Sequence, residues 1–524
     1  MIALTIGDLY DRCVQFHGRS TAITHGDRSY TYSQMGENAN RLVNAFKAVG
    51  LGKGDRVAFL MANCPEYIFS EYAVAKTGCV RVPLAVLLGP EDHIYMVNQS
   101  RCTTLIYHET MAGRIKEMIP RLETVKHYIC VAEDGADLMP GHLHLQVLME
   151  EHAPWAEAVD IDPEDLVGIY YTGGTTGRPK GVMLSHRAWV NTILFETLEF
   201  GFGRREVFAY LTPLTHAGGC LMLPVLLRKG RCVILDHFDP KAFLETVQKE
   251  KVTAAFMVPT MLYVLLDDPD LDTYDLSSLT NVIYGASAIA PERLKQAVTR
   301  FGPILTQLFG QTEAPMTFSV LTRDEHVIDD PVREREIFSS AGRPTFHTLL
   351  RIVDEQGREV TPGEPGEVIV QCSNMMTGYL DNPEATQETI RDGWLYTGDI
   401  ARQDDEGYLY IVDRKKDMII SGGFNIFPRE IEDVLFEHPG VKEAAVIGVP
   451  HDKWGEEVKA LVVLKPGAHA DDREIMAFVK ARKGSLVAPK SVEFIDAIPL
   501  TNLGKVDKKA LRQRFWNEKD RMVS

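Results

Sequence analysis

Tyr171-Thr-Gly-Gly-Thr-Thr-Gly-Arg-Pro-Lys-Gly181 is the stretch whose chemistry constrains the rest of the chain. From Thr172 to Lys180 it holds three glycines, three threonines and a lysine. Glycine lets successive backbone N–H groups turn inward on an anion. The threonine hydroxyls add donors, and Lys180 adds a full positive charge. That is the composition of a polyphosphate cradle. It is not a Walker A loop, in which the lysine precedes Ser or Thr and leads into a helix; here Lys180 precedes Gly181. The run Leu166–Tyr171 before it predicts a strand, and Val182-Met-Leu184 after it predicts another, with Ser185 placed to cap a helix. The loop therefore joins two strands.

Outward from this loop, apolar runs alternate with helical-period segments through about 400 residues. Arg56–Met61 predicts a strand, Pro65 opens a helix that ends near Gly78, and Val80–Leu84 predicts a strand again. The pattern recurs at Thr103–Tyr107, Val252–Phe256 and Asn281–Tyr284. Strands separated by helices imply βαβ units and largely parallel sheets. From about Thr345 short strand candidates, Leu349–Val353 and Glu367–Gln371, sit among turns such as Pro362–Gly366, which predicts a β-rich subdomain. The charged stretch Asp413-Arg-Lys-Lys-Asp417 then marks a boundary before a compact region of strand, helix and basic tail. The expected fold is α/β: a large N-terminal domain of parallel-type sheets with a β-rich subdomain (1–414), and a small α+β C-terminal domain (415–524).

The 524 residues suggest more than one domain. With 45% hydrophobic and 25% charged residues the chain is globular, which excludes disorder as a description of the whole. Its net charge of −17 argues against non-specific nucleic-acid binding, which needs a basic surface. A small anionic substrate remains compatible, because one loop can be locally positive. Eight scattered cysteines without a C-x-x-C pair predict reduced thiols. No secretory leader, no apolar run of about 18 residues and no C-terminal address are legible, so the expected location is the cytoplasm, without an integral membrane segment.

Further motifs follow the loop in order: Leu211-Thr-Pro-Leu-Thr-His-Ala-Gly-Gly219, Gly285-Ala-Ser-Ala288, Leu308-Phe-Gly-Gln-Thr-Glu313, Trp394-Leu-Tyr-Thr-Gly-Asp399, Asp413–Asp417, Ser421-Gly-Gly-Phe-Asn-Ile-Phe-Pro428 and Pro499-Leu-Thr-Asn-Leu-Gly-Lys-Val-Asp507. Singly, most of these read as turns. Together, over about residues 30 to 512, the chain resembles the adenylate-forming enzymes. That family includes acyl-CoA synthetases, aryl-CoA ligases, firefly-type luciferases and the adenylation domains of peptide synthetases. Two departures stand out. Phe309 replaces the usual tyrosine, keeping a flat apolar face, and Phe424 replaces a frequent glutamate.

The resemblance implies roles. Thr172, Gly173, Gly174, Thr175, Thr176 and Lys180 would hold the phosphates of ATP. Gly285, Ala286 and Ser287 would line both the adenine and the acyl site. Phe309 would lie on adenine, within the ATP-binding segment of Gly310 and Gln311. Thr312 would contact the α-phosphate and Glu313 would bind Mg²⁺, which prefers hard oxygen ligands. Asp399 and Arg414 would hold the ribose. Lys416 would be the hinge about which a mobile C-terminal domain turns, Gly422 and Gly423 would flank the pantetheine arm, and Trp454 would contact the adenine of CoA. Lys505 would be the catalytic lysine.

His216 would gate or line the carboxylate site. Amino-acid-activating relatives carry an acid at that position, so an α-amino acid is disfavoured. With Tyr284, Pro315 and Met316 it would line a roomy, mostly apolar pocket. The implied reaction is ATP-dependent joining of a carboxylic acid to coenzyme A through an acyl-adenylate, with release of AMP and pyrophosphate. The expected acid is aromatic, of benzoate or hydroxycinnamate type, or a medium- to long-chain fatty acid. A ligase loading a carrier-protein thiol is the alternative, and a homodimer, common in the family, is compatible.

Overall fold

The computed structural model describes residues 4–172, 178–500 and 506–516. The chain forms two compact units, Met1–Leu349 with Gln371–Leu395, and Leu350–Val370 with Tyr396–Ser524.

Among the described residues the first unit holds a nine-stranded and an eight-stranded sheet. In the larger sheet, Leu305–Gln311, Asn281–Tyr284, Ala254–Met257, Val207–Tyr210, Arg231–Ile234 and Thr21–His25 are neighbours in that order, each parallel to the next. Ala314–Leu321 pairs antiparallel on Leu305–Gln311 and extends the sheet. In the other sheet Leu166–Thr172, Val80–Pro83, Arg56–Leu60, Thr104–His108 and His127–Val131 run parallel. These strands are buried on both faces, which is why they read as near-continuous apolar runs.

The punctuation between strands is local chemistry. The helix Pro65–Thr77 starts on proline, whose missing N–H costs nothing in the first turn, and stops at Gly78, left-handed at φ +72°. The phosphate loop joins two strands as expected: Leu166–Thr172 and Lys180–Ser185 are antiparallel, with Thr172 opposite Lys180. Ser185 caps the helix His186–Glu199 by accepting the Ala188 N–H at 3.2 Å.

In the second unit, which resumes at Tyr396, the strand Trp394–Gln403 pairs antiparallel with Leu409–Arg414 and carries one part of the β-rich segment. After it, Val441–His451 and Gly455–Leu464 form a long antiparallel pair, joined by Ile419–Ser421, Phe424–Ile426 and Ser491–Phe494. The helices Pro428–Phe436 and Asp472–Lys483 contribute Ile431, Leu435, Ile475 and Val479 to the core on this sheet. The compact division places the β-rich segment with the C-terminal residues. The charged stretch expected to mark the 414/415 boundary lies within the second unit. All eight cysteines are free thiols. Among the described residues no helix is long and apolar enough to cross a membrane.

Candidate active site

In the first unit the phosphate-loop hairpin presents Lys180 at its rim, where the side chain is exposed. The Lys180 ammonium lies 4.7 Å from the centre of the Tyr379 ring, within cation–π range. The Tyr379 hydroxyl donates to Glu313 Oε1 at 2.7 Å. Tyr379 is 6% exposed. Burial, with the Glu313 carboxylate beside it, holds its phenol well above the usual range, so it stays a proton donor. Lys180, Tyr379 and Glu313 thus form one cation–aromatic–carboxylate series. Glu313 is anchored further by its backbone, whose carbonyl accepts the Met376 N–H at 2.7 Å. Sequence reasoning missed Tyr379; its only signal is an aromatic after Gly378, ahead of the helix start at Asn382-Pro383.

Among the described residues no group of three or more His, Cys, Asp or Glu could cage a metal. A lone half-buried carboxylate fits Mg²⁺, which keeps several waters and takes one or two carboxylates plus substrate phosphates. Gly173, Gly174, Thr175 and Thr176 lie outside the described residues.

The segments expected at adenine and acyl group meet through glycine. A Cβ on Gly310 would fall 2.7 Å from the backbone of Met316, and one on Gly285 would fall 2.7 Å from the Leu308 carbonyl. Both positions therefore need glycine. Phe309 packs edge-on against Phe318, with centroids 5.5 Å apart. Gln311, Thr312 and Glu313 form the half-buried turn between Leu305–Gln311 and Ala314–Leu321. Ala286 and Met316 adopt φ of +67° and +71°, a left-handed conformation that costs a side-chain-bearing residue energy and concentrates at functional sites.

Ala286 and Ser287 are exposed, and Pro315 and Met316 are buried. His216 is exposed and caps the short helix Ala217–Cys220 from extended backbone. The structure puts the Tyr284 ring in the core: it is fully buried, and its hydroxyl bonds Gln307 Oε1 at 3.2 Å and His326 Nε2 at 3.1 Å. Those partners hold the ring in the buried apolar cluster that includes Ile289, Leu294 and Phe338.

In the second unit Asp399 and Arg414 are opposite each other across two antiparallel strands. Their side chains pair at 2.5 Å, with the Asp399 side chain 3% exposed and that of Arg414 44% exposed. A buried acceptor-only group backed by a guanidinium suits a diol. Lys416 lies in the 3-10 turn Lys415–Asp417 directly after that strand. This turn is tied down on both sides: Lys415 pairs with Glu367 at 2.8 Å, and Asp417 pairs with Arg512. Lys508 meets Glu432 at 2.8 Å in the same unit. Sequence reasoning saw only a basic tail here.

Gly422 and Gly423, at φ +59° and +85°, make the two-residue turn between Ile419–Ser421 and Phe424–Ile426. The Gly422 N–H donates to the Trp454 carbonyl at 2.9 Å, and Trp454 stacks on His451 at 4.3 Å. The structure thus brings together the three residues expected at CoA, beside a half-exposed Phe424 ring. Lys505 lies outside the described residues; Leu500 and Val506, on either side of it, pair as an antiparallel bridge.

Residues 10–380 match the family model described as AMP-binding enzyme, and residues 430–505 match the AMP-binding enzyme C-terminal domain. The chain belongs to this adenylate-forming family. Within it the chain is an AMP-forming acid–thiol ligase of the acyl-CoA synthetase branch. It is 39% identical to the medium/long-chain-fatty-acid–CoA ligase FadD8 of Mycobacterium tuberculosis over 99% of this chain and 91% of that protein. It is 38% identical to a feruloyl-CoA synthase of an Amycolatopsis species, over 95% and 96%. Among solved structures, the amide bond synthetase McbA of Marinactinospora thermotolerans superposes with a TM-score of 0.88 at 31% identity, over 98% of this chain and all of that one.

Proposed function

We propose that the protein joins an aromatic or medium- to long-chain carboxylic acid to coenzyme A in two half-reactions. The observation that carries this reading is the Lys180–Tyr379–Glu313 series, a cation and a carboxylate held by one buried phenol at the rim of the phosphate loop. In the first half-reaction a carboxylate oxygen of the acid attacks the α-phosphorus of ATP, and the bond to the β-phosphate breaks. The products are acyl-AMP and pyrophosphate. Lys180 and the loop Thr172–Lys180 offset the charge that builds on the phosphates. Mg²⁺ on Glu313 would neutralise charge on the departing pyrophosphate. Lys505 bridges the attacking carboxylate and the α-phosphate, and Asp399 with Arg414 orients the ribose.

In the second half-reaction the CoA sulfur attacks the acyl carbonyl and AMP leaves. Rotation about Lys416, at the 414/415 boundary, removes Lys505 and delivers the Gly422–Gly423 turn. Two glycines with positive φ let the backbone approach a thin thiol arm, and the Trp454 indole offers a flat face to the CoA adenine. Small residues, Ala286 and Ser287, and the apolar pair Pro315 and Met316 leave room for a ring or chain. The relatives named for fatty and feruloyl acids support the same two acid classes.

The test is incubation with Mg-ATP, CoA and a panel of acetic, fatty, benzoic and cinnamic acids, with AMP and thioester read by mass spectrometry. AMP and an acyl-CoA from one acid class is the expected result. Acyl-AMP without thioester would move the acceptor to a carrier-protein thiol, and ADP in place of AMP would refute adenylation.

A further inference from the structure

Glu196 stands on the last turn of the helix His186–Glu199 and is fully buried. Neither of its carboxyl oxygens has a hydrogen-bond partner. Burial raises its carboxyl well above the usual range and so favours the protonated form, with one O–H to donate and oxygens to accept. Native structures rarely leave such a group unsatisfied without a functional reason.

Its position supplies the reason. One turn earlier on the same face, Thr192 Oγ1 accepts from Asn374 Nδ2 at 3.3 Å, and that same Nδ2 donates to the Pro315 carbonyl at 3.1 Å. Glu196 is about 6 Å further along the helix axis from this contact. Glu196 is also within electrostatic reach of Cys220, whose thiol donates to the His216 carbonyl at 3.8 Å. Glu196 therefore shares a helix with the contact to the Pro315 segment and acts electrostatically on the Cys220 thiol of the His216 segment, the two segments assigned to the acid. Each segment adds another buried oxygen without a partner, Asn374 Oδ1 on one side and Thr215 Oγ1 on the other.

We propose that Glu196 is a specificity-determining residue at the inner end of the acyl pocket, and that it selects acids carrying a hydroxyl group remote from the carboxylate. The inference rests on the acyl-pocket reading given under the proposed function. A hydroxyl both donates and accepts, which matches an uncharged carboxyl group atom for atom. A plain hydrocarbon tail would leave the carboxyl unpaired in the complex as well.

The test uses the full-length enzyme as wild type, Glu196→Gln and Glu196→Leu. Two matched pairs of acids are compared: cinnamate with para-hydroxycinnamate, and decanoate with omega-hydroxydecanoate. Binding is read without ATP, as the acid-induced shift of the melting temperature, and adenylation is read as pyrophosphate release. Wild type should prefer the hydroxylated member of at least one pair by about tenfold or more. Glu196→Leu should erase that preference, and Glu196→Gln should weaken it by about threefold or more. Glu196→Leu should also melt at or above wild type, because an unsatisfied buried carboxyl has been removed; a purely structural role predicts the reverse. If the leucine variant does not fold, the isosteric glutamine variant carries the comparison.

Equal handling of both members by wild type, or a preference that survives both substitutions, overturns the proposal. If pyrophosphate is then still released from the plain acids, the ligase reading stands without it. Glu196-dependent binding of hydroxylated acids with no pyrophosphate release would uphold Glu196 and refute the ligase reading.

Discussion

Tyr379→Phe removes one oxygen atom and leaves the ring in place under Lys180. The lost bond is an O–H donor on a carboxylate at 2.7 Å, from a phenol 6% exposed. Hydrogen bonds to charged groups contribute about 1.5–3 kcal/mol. Glu313 is only half-buried, so water replaces part of the bond, and the lower half of that range, about 1.5–2 kcal/mol, applies. At 1.36 kcal/mol per factor of ten this is a loss of about 10–30-fold. It should appear as weaker Mg-ATP, because the bond orients Glu313 before the chemical step. The assay is steady-state pyrophosphate release with Mg²⁺ varied at fixed ATP. The variant should need about 10–30-fold more Mg²⁺ for half-maximal rate, with kcat recovered at saturation. Tyr379→Leu should lose more, since the Lys180 contact goes too, and Tyr379→Phe should add little to Glu313→Gln. A Tyr379→Phe enzyme within twofold of wild type at every Mg²⁺ level, or full additivity with Glu313→Gln, would refute the reasoning.

Lys505→Ala should lower acyl-AMP formation at least about a hundredfold and leave thioester formation from supplied acyl-AMP within about tenfold; equal losses in both half-reactions, by single-turnover mass spectrometry, would reject the assignment. Gly423→Val places a β-branched residue at φ +85° in a two-residue turn and should raise the KM for CoA about tenfold or more without slowing pyrophosphate release; a changed adenylation rate would show that the turn serves the first half-reaction. Burial pushes the His186 and His326 imidazoles down to about 4. The unfolded chain protonates them near pH 6.5 and the folded chain only near 4, so their contribution is complete above pH 6.5 and is lost as pH falls from 6.5 to 4. At pH 5 the loss is about 2 kcal/mol for each. Melting temperature should therefore drop across that window, and His326→Asn should flatten the drop; an unchanged slope would count against it.

The architecture was legible because its strands are buried on both faces and so read as apolar runs bounded by Pro and Gly. Asn281–Tyr284 was placed to the residue, and Arg56–Leu60 and Val80–Pro83 to within one residue of their ends. The loop motifs were legible for a different reason: phosphate and ribose impose residue types at fixed spacing. What stayed hidden was pairing between distant positions. Tyr379 acquires its role only when it reaches Glu313, 66 residues away in sequence. Lys508 and Arg512 looked like surface charge until they met Glu432 and Asp417. Nothing in the sequence singles out Glu196, because a carboxyl's isolation is a property of its surroundings. Tyr284, expected in the acyl pocket, is fully buried, with its hydroxyl bonded to Gln307 and His326, partners that lie 23 and 42 residues away in sequence.

One topological fact gathers motifs far apart in sequence at one end of a sheet. Val207–Tyr210, Ala254–Met257, Asn281–Tyr284 and Leu305–Gln311 are adjacent parallel strands of one sheet. The His216 segment, the Gly285–Ala288 turn and the Thr312–Glu313 turn follow the carboxyl ends of three of them. In open α/β sheets that end is where ligands bind, since the loops there are free to vary while the strands fix their spacing. The local costs gather at the same end. Ala286 and Met316 are left-handed without being glycine, and Gly285 and Gly310 tolerate no side chain because backbone passes within 2.7 Å of where it would start. Neither feature helps the sheet. Gly285 lets its turn close on the Leu308 backbone of the neighbouring strand, and Gly310 lets its own hairpin close on Met316, so both turns are drawn tight at the strand ends where the family's nucleotide is expected.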